Sequence, residues 1–234
     1  MTDLTDRQIL VLIPAYNEGE RVVPVVRGAQ THLPVLVVDD GSTDGTAVFA
    51  RDAGADVYLQ QPNQGKGAAL LAGFAIALKQ GYQAVITLDA DGQHDPAEIP
   101  AFIAAFQSQH ADLVIGQRDF SQMPPVRRFA NTIGAALFSR ALGQPVADNQ
   151  SGFRLISRRL MESLMNSKER GFEFEVEMIV ACAQEGLSLT WVPIRTIYGG
   201  EKSHINPLRH LAKFLQITLK TRHMMRAVQR VEKG

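Results

Sequence analysis

The apolar run Ala84-Val85-Ile86-Thr87-Leu88 passes without a break into Asp89-Ala90-Asp91-Gly92-Gln93-His94. A short apolar run of this kind is the pattern of a strand buried on both faces of a parallel sheet. The construction recurs along the first half of the chain. Ile9 to Ile13 is an apolar run closed by Pro14, and Leu36-Val37-Val38 runs into Asp39-Asp40-Gly41-Ser42-Thr43-Asp44-Gly45-Thr46. Asp56 to Leu59 and Leu113 to Gly116 are further short strands. Helical spacing separates them, through Val22, Val23, Val25 and Val26, over Ala68 to Leu78, and from Pro96 to about Gln107. This alternation predicts an α/β fold with a mostly parallel central sheet flanked by helices on both faces.

The second half is less regular. Val126 to Leu142 reads as a helix, and the polar stretch Asp148 to Arg154 leads into Leu155-Ile156. Phe172 to Glu185 is helical, with Phe172, Val176, Ile179, Val180 and Ala183 as its apolar stripe; Leu187 to Val192 alternates as a strand. Tyr198 to His204 reads as a loop, and Pro207 starts an amphipathic helix to about Val231. The expected organisation is an α/β domain over 1–205 and a basic C-terminal helix over 206–234.

Charge separates these two parts. The chain of 234 residues has a formal net charge of zero, which argues against bulk nucleic-acid binding. From Asn206 onward, however, seven Lys and Arg face one acid, Glu232, so the tail is +6 and the remainder −6. Leu208, Leu211, Leu215, Ile217 and Leu219 beside Lys213, Lys220, Arg222 and Arg226 resemble an interfacial helix on an anionic membrane surface. The same pattern also describes a helix packed on its own domain with a solvated basic face. A single cysteine, Cys182, sits in an apolar helical pattern and reads as a core residue. With no run of about 18 apolar residues, no spanning helix is expected. The expected location is the cytoplasm, peripheral at the inner face of the membrane.

In open α/β sheets, ligands bind outside the carboxyl ends of the strands. Asp89 and Asp91 are therefore expected at the lip of a crevice, where two carboxylates and the Gln93 amide suit Mg²⁺ or Mn²⁺. A surface turn rich in Asp and Gly has the same appearance. Tyr16 to Glu18 and Asp39 to Asp44 reach the same edge, which fits a nucleotide. Tyr16 stacks on the base in this reading, Glu18 accepts from ribose hydroxyls, and Asp40 accepts from a nucleobase N–H. Lys66, at a helix start between two glycines, meets phosphate or base. Arg118, Arg127, Arg128, Arg195 and Lys202 stand where anions would sit, Arg118 foremost because it follows a strand. Gly65-Lys66-Gly67 lacks the spacing of a P-loop, and no Gly-x-Gly-x-x-Gly follows the first strand. His94 reads as a structural histidine more readily than as a metal ligand.

These words, in this order over about residues 8 to 210, resemble a family-2 glycosyltransferase of GT-A fold, close to the polyprenyl-phosphate sugar synthases. They are Ile13 to Glu18, Val38 to Thr46, Asn63 to Gly67, Asp89 to His94, Ser151-Gly152-Phe153-Arg154, and the Tyr198 to Pro207 loop. The resemblance implies that Pro14, Tyr16, Glu18 and Asp40 hold the nucleoside of a GDP- or UDP-sugar. It also implies that Asp89, Ala90 and Asp91 meet the nucleotide-sugar, and that Asp89, Asp91 and Gln93 hold Mg²⁺ or Mn²⁺. Arg118, Arg195 and Lys202 would hold the diphosphate or the acceptor phosphate. The Gln-x-x-Arg-Trp word of processive polymer synthases is absent, so transfer of one sugar is expected.

Asp91 and Arg118 are accordingly expected to take part in catalysis. If the acceptor is a polyprenyl phosphate, it is already anionic and needs no base. If it is a sugar or other hydroxyl, a base is required, and Asp148 is the candidate. A non-catalytic nucleotide-sugar-binding protein is the alternative from another class.

Overall fold

The computed structural model describes residues 8–119, 136–143, 145–149, 151–171 and 173–195. Seven strands form one sheet: β1 (Ile9–Ala15), β2 (Val35–Asp39), β3 (Asp56–Leu59), β4 (Ala84–Thr87), β5 (Leu113–Arg118), β6 (Arg154–Ser157) and β7 (Leu189–Ile194). Their order is β3-β2-β1-β4-β6-β5-β7. The helices are α1 (Val22–Gln30), α2 (Thr46–Asp52), α3 (Lys66–Lys79), α4 (Ile99–Gln109), the helical residues 136–142 (α5), α6 (Arg158–Leu164) and α7 (Glu173–Gln184).

The period of two along each strand divides the core. In β1, Ile9, Val11 and Ile13 pack with Val22, Val25 and Val26 of α1 and with Ile99 and Phe102 of α4. Leu10 and Leu12 face the other way, onto Leu70 and Phe74 of α3 and Ile179 and Cys182 of α7. α3 lies so close to β1 that a Cβ on Gly73 would come within 2.3 Å of the Leu12 side chain. The buried, free Cys182 is a core residue as its pattern suggested, and burial pushes its thiol up to about 12.

Two features depart from the sequence reading. The pairs β1–β2, β1–β4, β2–β3 and β5–β7 are parallel, but β6 runs antiparallel to both β4 and β5. In α7 the buried face is also broader than the expected stripe. It includes Phe174, Met178, Cys182 and a carboxylate, Glu175. The C-terminal amphipathic helix, the boundary at 205/206, the 126–135 part of the expected helix, and Phe172, Arg127, Arg128, Lys202 and His204 lie outside the described residues.

The strand order places the crevice. β2 and β3 lie to one side of β1, and β4, β6, β5 and β7 to the other, so the order reverses between β1 and β4. Every strand except β6 delivers its carboxyl end to the same edge. β6 instead begins there, with Arg154 paired to Thr87 of β4 and to Ile115 of β5.

Candidate functional site

The loops after β1 and β2 are laced together at this edge. Asn17, in a left-handed conformation (φ 55°), accepts from the Thr43 N–H at 2.9 Å, and its own N–H donates to Ser42 Oγ at 2.9 Å. The Glu18 and Gly19 N–H groups donate to Thr46 Oγ1, whose hydroxyl donates to Asp44 at 2.5 Å. Tyr16 stands 49% exposed beside this lacing, open to a stacking partner, and Glu18 pairs with Arg21 at 2.9 Å. Pro14 and Ala90 are buried, so Ala90 offers a ligand its backbone rather than its methyl.

Two residues expected to contact the ligand, Asp40 and Lys66, also have structural work. The Asp40 carboxylate is buried and accepts from Gln60 Nε2 at 2.7 Å and from the N–H groups of Gln64 and Gly65 at 2.8 and 2.7 Å. It therefore fastens the loop that opens α3. Lys66 does not point into a phosphate cradle. Its ammonium lies 2.5 Å from Asp89 Oδ1 and 2.7 Å from Glu175 Oε1. The flanking glycines serve close backbone approach. A Cβ on Gly65 would stand 2.5 Å from the Arg170 carbonyl oxygen, and one on Gly67 2.8 Å from the Arg170 carbonyl carbon. That oxygen also accepts the Ala68 N–H, which removes a donor an anion at the helix start would use.

Asp89 is held from three directions. Lys66 grips one oxygen, and His94 Nδ1 accepts the Asp89 backbone N–H in a long contact of 3.4 Å. Continuing the antiparallel pairing of Thr87 with Arg154 places Gly152 opposite Asp89. Its carboxylate lies against that glycine: a Cβ there would be 2.5 and 2.7 Å from its two oxygens. Burial alone would push the Asp89 pKa up, but the Lys66 ammonium reverses this and brings it to about 2. Lys66 is pushed up in return, its two carboxylates outweighing burial. Burial pushes His94 down, so it is a neutral structural imidazole, its ring 5.4 Å from that of Phe153.

Arg118 follows β5 to the same edge and is gripped in fork fashion by Asp148, Nε to Oδ2 at 2.6 Å and Nη2 to Oδ1 at 2.9 Å. Asp148 is only 1% exposed. A buried carboxylate whose two oxygens accept from one guanidinium positions that arginine, which weighs against the expectation that Asp148 acts as a base. Arg195 follows β7 to this edge, its side chain exposed and its N–H on Glu98 at 2.9 Å.

The sequence reading gave no role to Arg154 and passed over Glu175 altogether. Arg154 is fully buried and donates to three carbonyls, those of Ser151 at 2.8 Å, Asn149 at 3.2 Å and Glu175. One side chain thus ties the loop before β6 to the first turn of α7. Beside it, Asn149 Nδ2 and Ser151 Oγ are buried without a hydrogen-bond partner among the described residues. Such atoms in a native structure call for an explanation, and completion by a ligand is one.

The donors at the β4 end suit a hard divalent ion. Mg²⁺ and Mn²⁺ are usually bound by one or two carboxylates, with water and substrate phosphate completing the shell. Asp89 and Asp91 offer carboxylates, Asp89 ionised throughout the neutral range. Asp91 Oδ1 accepts the Gln93 N–H at 2.9 Å, which fixes the turn that carries both residues. Among the described residues no group of three or more His, Cys, Asp or Glu side chains forms a cage. The set fits an ion that shares its shell with a phosphate, not an enclosed structural metal.

Comparison with known proteins gives the family. The model of glycosyl transferase family 2 matches residues 10–165. The chain is 35% identical to a polyprenol monophosphomannose synthase of Mycolicibacterium smegmatis, over 80% of this chain and 77% of that one. It is 32% identical to an undecaprenyl-phosphate mannosyltransferase of Micrococcus luteus, over 80% and 82%. Among solved structures it resembles glucosyl-3-phosphoglycerate synthase of Mycobacterium tuberculosis, in complex with Mn²⁺, uridine diphosphate and glucosyl-3-phosphoglycerate. The TM-score there is 0.68, with 22% identity over 92% of this chain and 78% of that one.

Proposed function

The chain belongs to glycosyl transferase family 2, and from that premise we propose that it moves one sugar from a GDP- or UDP-sugar to a polyprenyl phosphate, with inversion and with a divalent cation. Both curated relatives above are named for mannose transfer, one to a polyprenol phosphate and one to undecaprenyl phosphate. The observation that carries the acceptor is the Arg118–Asp148 pair. The one carboxylate read as a candidate base is fully taken up by a guanidinium at the end of β5. An arrangement without that base, but with a positioned arginine, suits an acceptor that arrives already anionic.

In this reading the nucleoside lies over the laced loops, with Tyr16 against the base and Glu18 toward the ribose. Asp89, Asp91 and Gln93 would hold Mg²⁺ or Mn²⁺, which when bound neutralises charge on the departing diphosphate. Arg118, with Arg195 and Lys202, offsets the repulsion between donor and acceptor phosphates. A phosphate oxygen of the acceptor attacks the anomeric carbon. The bond from that carbon to the diphosphate oxygen breaks, and its electron pair leaves with the nucleoside diphosphate. Asn149 Nδ2 and Ser151 Oγ, lacking partners among the described residues, are placed to meet hydroxyls of the sugar. The domain 1–205 would carry this chemistry, and the basic helix 206–234 would meet an anionic membrane surface at the cytoplasmic face. Among the described residues no helix is long and apolar enough to cross a membrane.

The test is transfer of radiolabelled sugar from GDP- and UDP-donors, mannose donors first, to polyprenyl phosphate in anionic vesicles with Mg²⁺ or Mn²⁺. Label in the lipid fraction, lost on chelation, is the expected result. Release of nucleoside diphosphate without lipid product would move the acceptor to a hydroxyl.

The Asp89–Gly152 contact gives a second expectation. Gly152→Ala must push the carboxylate off its seat, because its Cβ would fall inside contact distance of both oxygens. A displacement of about 1 Å at a reacting centre costs on the order of 10²-fold. Turnover should fall by about that factor while the thermal midpoint moves little. Unchanged turnover would show that the position of Asp89 is unimportant.

A further inference from the structure

Glu175 belongs to none of the motifs read from the sequence. It lies in the first turn of α7, its side chain 8% exposed among Phe174, Val176 and Met178. A carboxylate buried in such surroundings is costly unless it is paired. Its partner is the Lys66 ammonium, at 2.7 Å, which at the same time holds Asp89 at 2.5 Å. One cation would be enough to hold Asp89. With Lys66 alone, however, Asp89 would be half of a neutral pair, and a neutral pair attracts a cation weakly.

We propose that Glu175 is a positioning residue that sets the charge of the cation site, sharing Lys66 so that Asp89 keeps its anionic character toward a divalent ion. The inference rests on the reading of Asp89, Asp91 and Gln93 as the cation-holding set. Among the described residues in direct electrostatic reach of Asp89 and the groups that hold it, four carboxylates (Asp89, Asp91, Asp148 and Glu175) face three cations (Lys66, Arg118 and Arg154). One negative charge remains over. Losing the charge of Glu175 brings the sum to zero. Losing Lys66 raises the excess to two, and losing both charges returns it to one. His94, whose Nδ1 accepts the Asp89 N–H, is the same in every variant and does not enter the comparison.

This gives effects of opposite sign, which a merely structural role would not. Mn²⁺ binding to the full chain is measured by the electron paramagnetic resonance signal of the free ion, alone and with GDP or UDP, beside the thermal midpoint of each variant. Glu175→Gln is expected to weaken Mn²⁺ binding about tenfold, the scale set by one unit of charge at partly screened distance. Lys66→Met is expected to tighten it. The double variant Lys66→Met, Glu175→Gln is expected to return close to the wild-type affinity. Weakening in both single variants, or no recovery in the double variant, would overturn the proposal: the two residues would then be scaffold only. Should Glu175→Gln fail to fold, the sign for Lys66→Met still decides, since weaker binding there contradicts the charge argument. Absence of Mn²⁺ binding by the wild type with either nucleotide would overturn the cation site itself, a failure distinct from that of Glu175.

Discussion

Asp91→Asn is expected to lower kcat/KM for sugar transfer by about 10³-fold, equivalent to ~4 kcal/mol of transition-state stabilisation. The substitution isolates charge from shape. Asp91 Oδ1 accepts the Gln93 N–H at 2.9 Å, and an asparagine carbonyl can accept it as well. The turn over 89–93 should therefore survive, along with the thermal midpoint, since Asp91 is only half-buried. What is lost is an anionic oxygen at the strand end, so Mn²⁺ affinity should fall together with kcat. Activity within a few-fold of wild type would remove Asp91 from the cation site and leave the Asp-x-Asp word a structural turn.

The largest expected loss of stability comes from a fully buried residue, Arg154. Arg154→Met keeps a long apolar side chain but removes every donor that reaches the carbonyls of Asn149, Ser151 and Glu175. Three buried acceptors would be left short at once. Leaving buried polar groups unsatisfied costs about 1–3 kcal/mol each, so about 3–5 kcal/mol in sum is a conservative expectation. For a domain of this size the thermal midpoint should drop by roughly 10 °C. Arg154→Lys should recover only part of this, because one ammonium cannot serve three diverging carbonyls. A midpoint within 2–3 °C of wild type, which is about 1 kcal/mol, would show that these carbonyls find water instead.

The sequence was most readable where one physical pattern acts alone. β1, β2, β4 and the first four residues of β5 are buried, so they read as nearly continuous apolar runs, and the acids that follow β2 and β4 mark where the chain leaves the sheet. β6 was not readable as antiparallel. It has four residues, begins with a buried arginine, and follows a polar loop, so neither period nor length gives its direction. That direction places Gly152 opposite Asp89. Lys66 misled for a related reason. A lysine between glycines at a helix start has the look of an anion cradle, but the glycines admit the backbone at Arg170 and Gly171, more than a hundred residues on. Asp148 looked like a base because a lone acid before a glycine-containing word carries no sign of the arginine that engages it. Glu175 was hidden because a glutamate in the first turn of a helix ordinarily reads as solvated and favourable to the helix dipole.

The separation of Lys66 from Glu175, 109 residues along the chain, also bears on how the molecule is made. An emerging chain holds the acidic end of β4 long before α7 exists. Until that helix docks, Lys66 and Asp89 lack their third member, and the Arg154 tie to the Glu175 carbonyl is missing. The stretch matched by the family model ends at residue 165, short of Glu175, the α7 residue that both contacts share. The surroundings of Asp89 are thus completed only when α7 docks, as a property of the closed chain and not of the strand-end motif by itself.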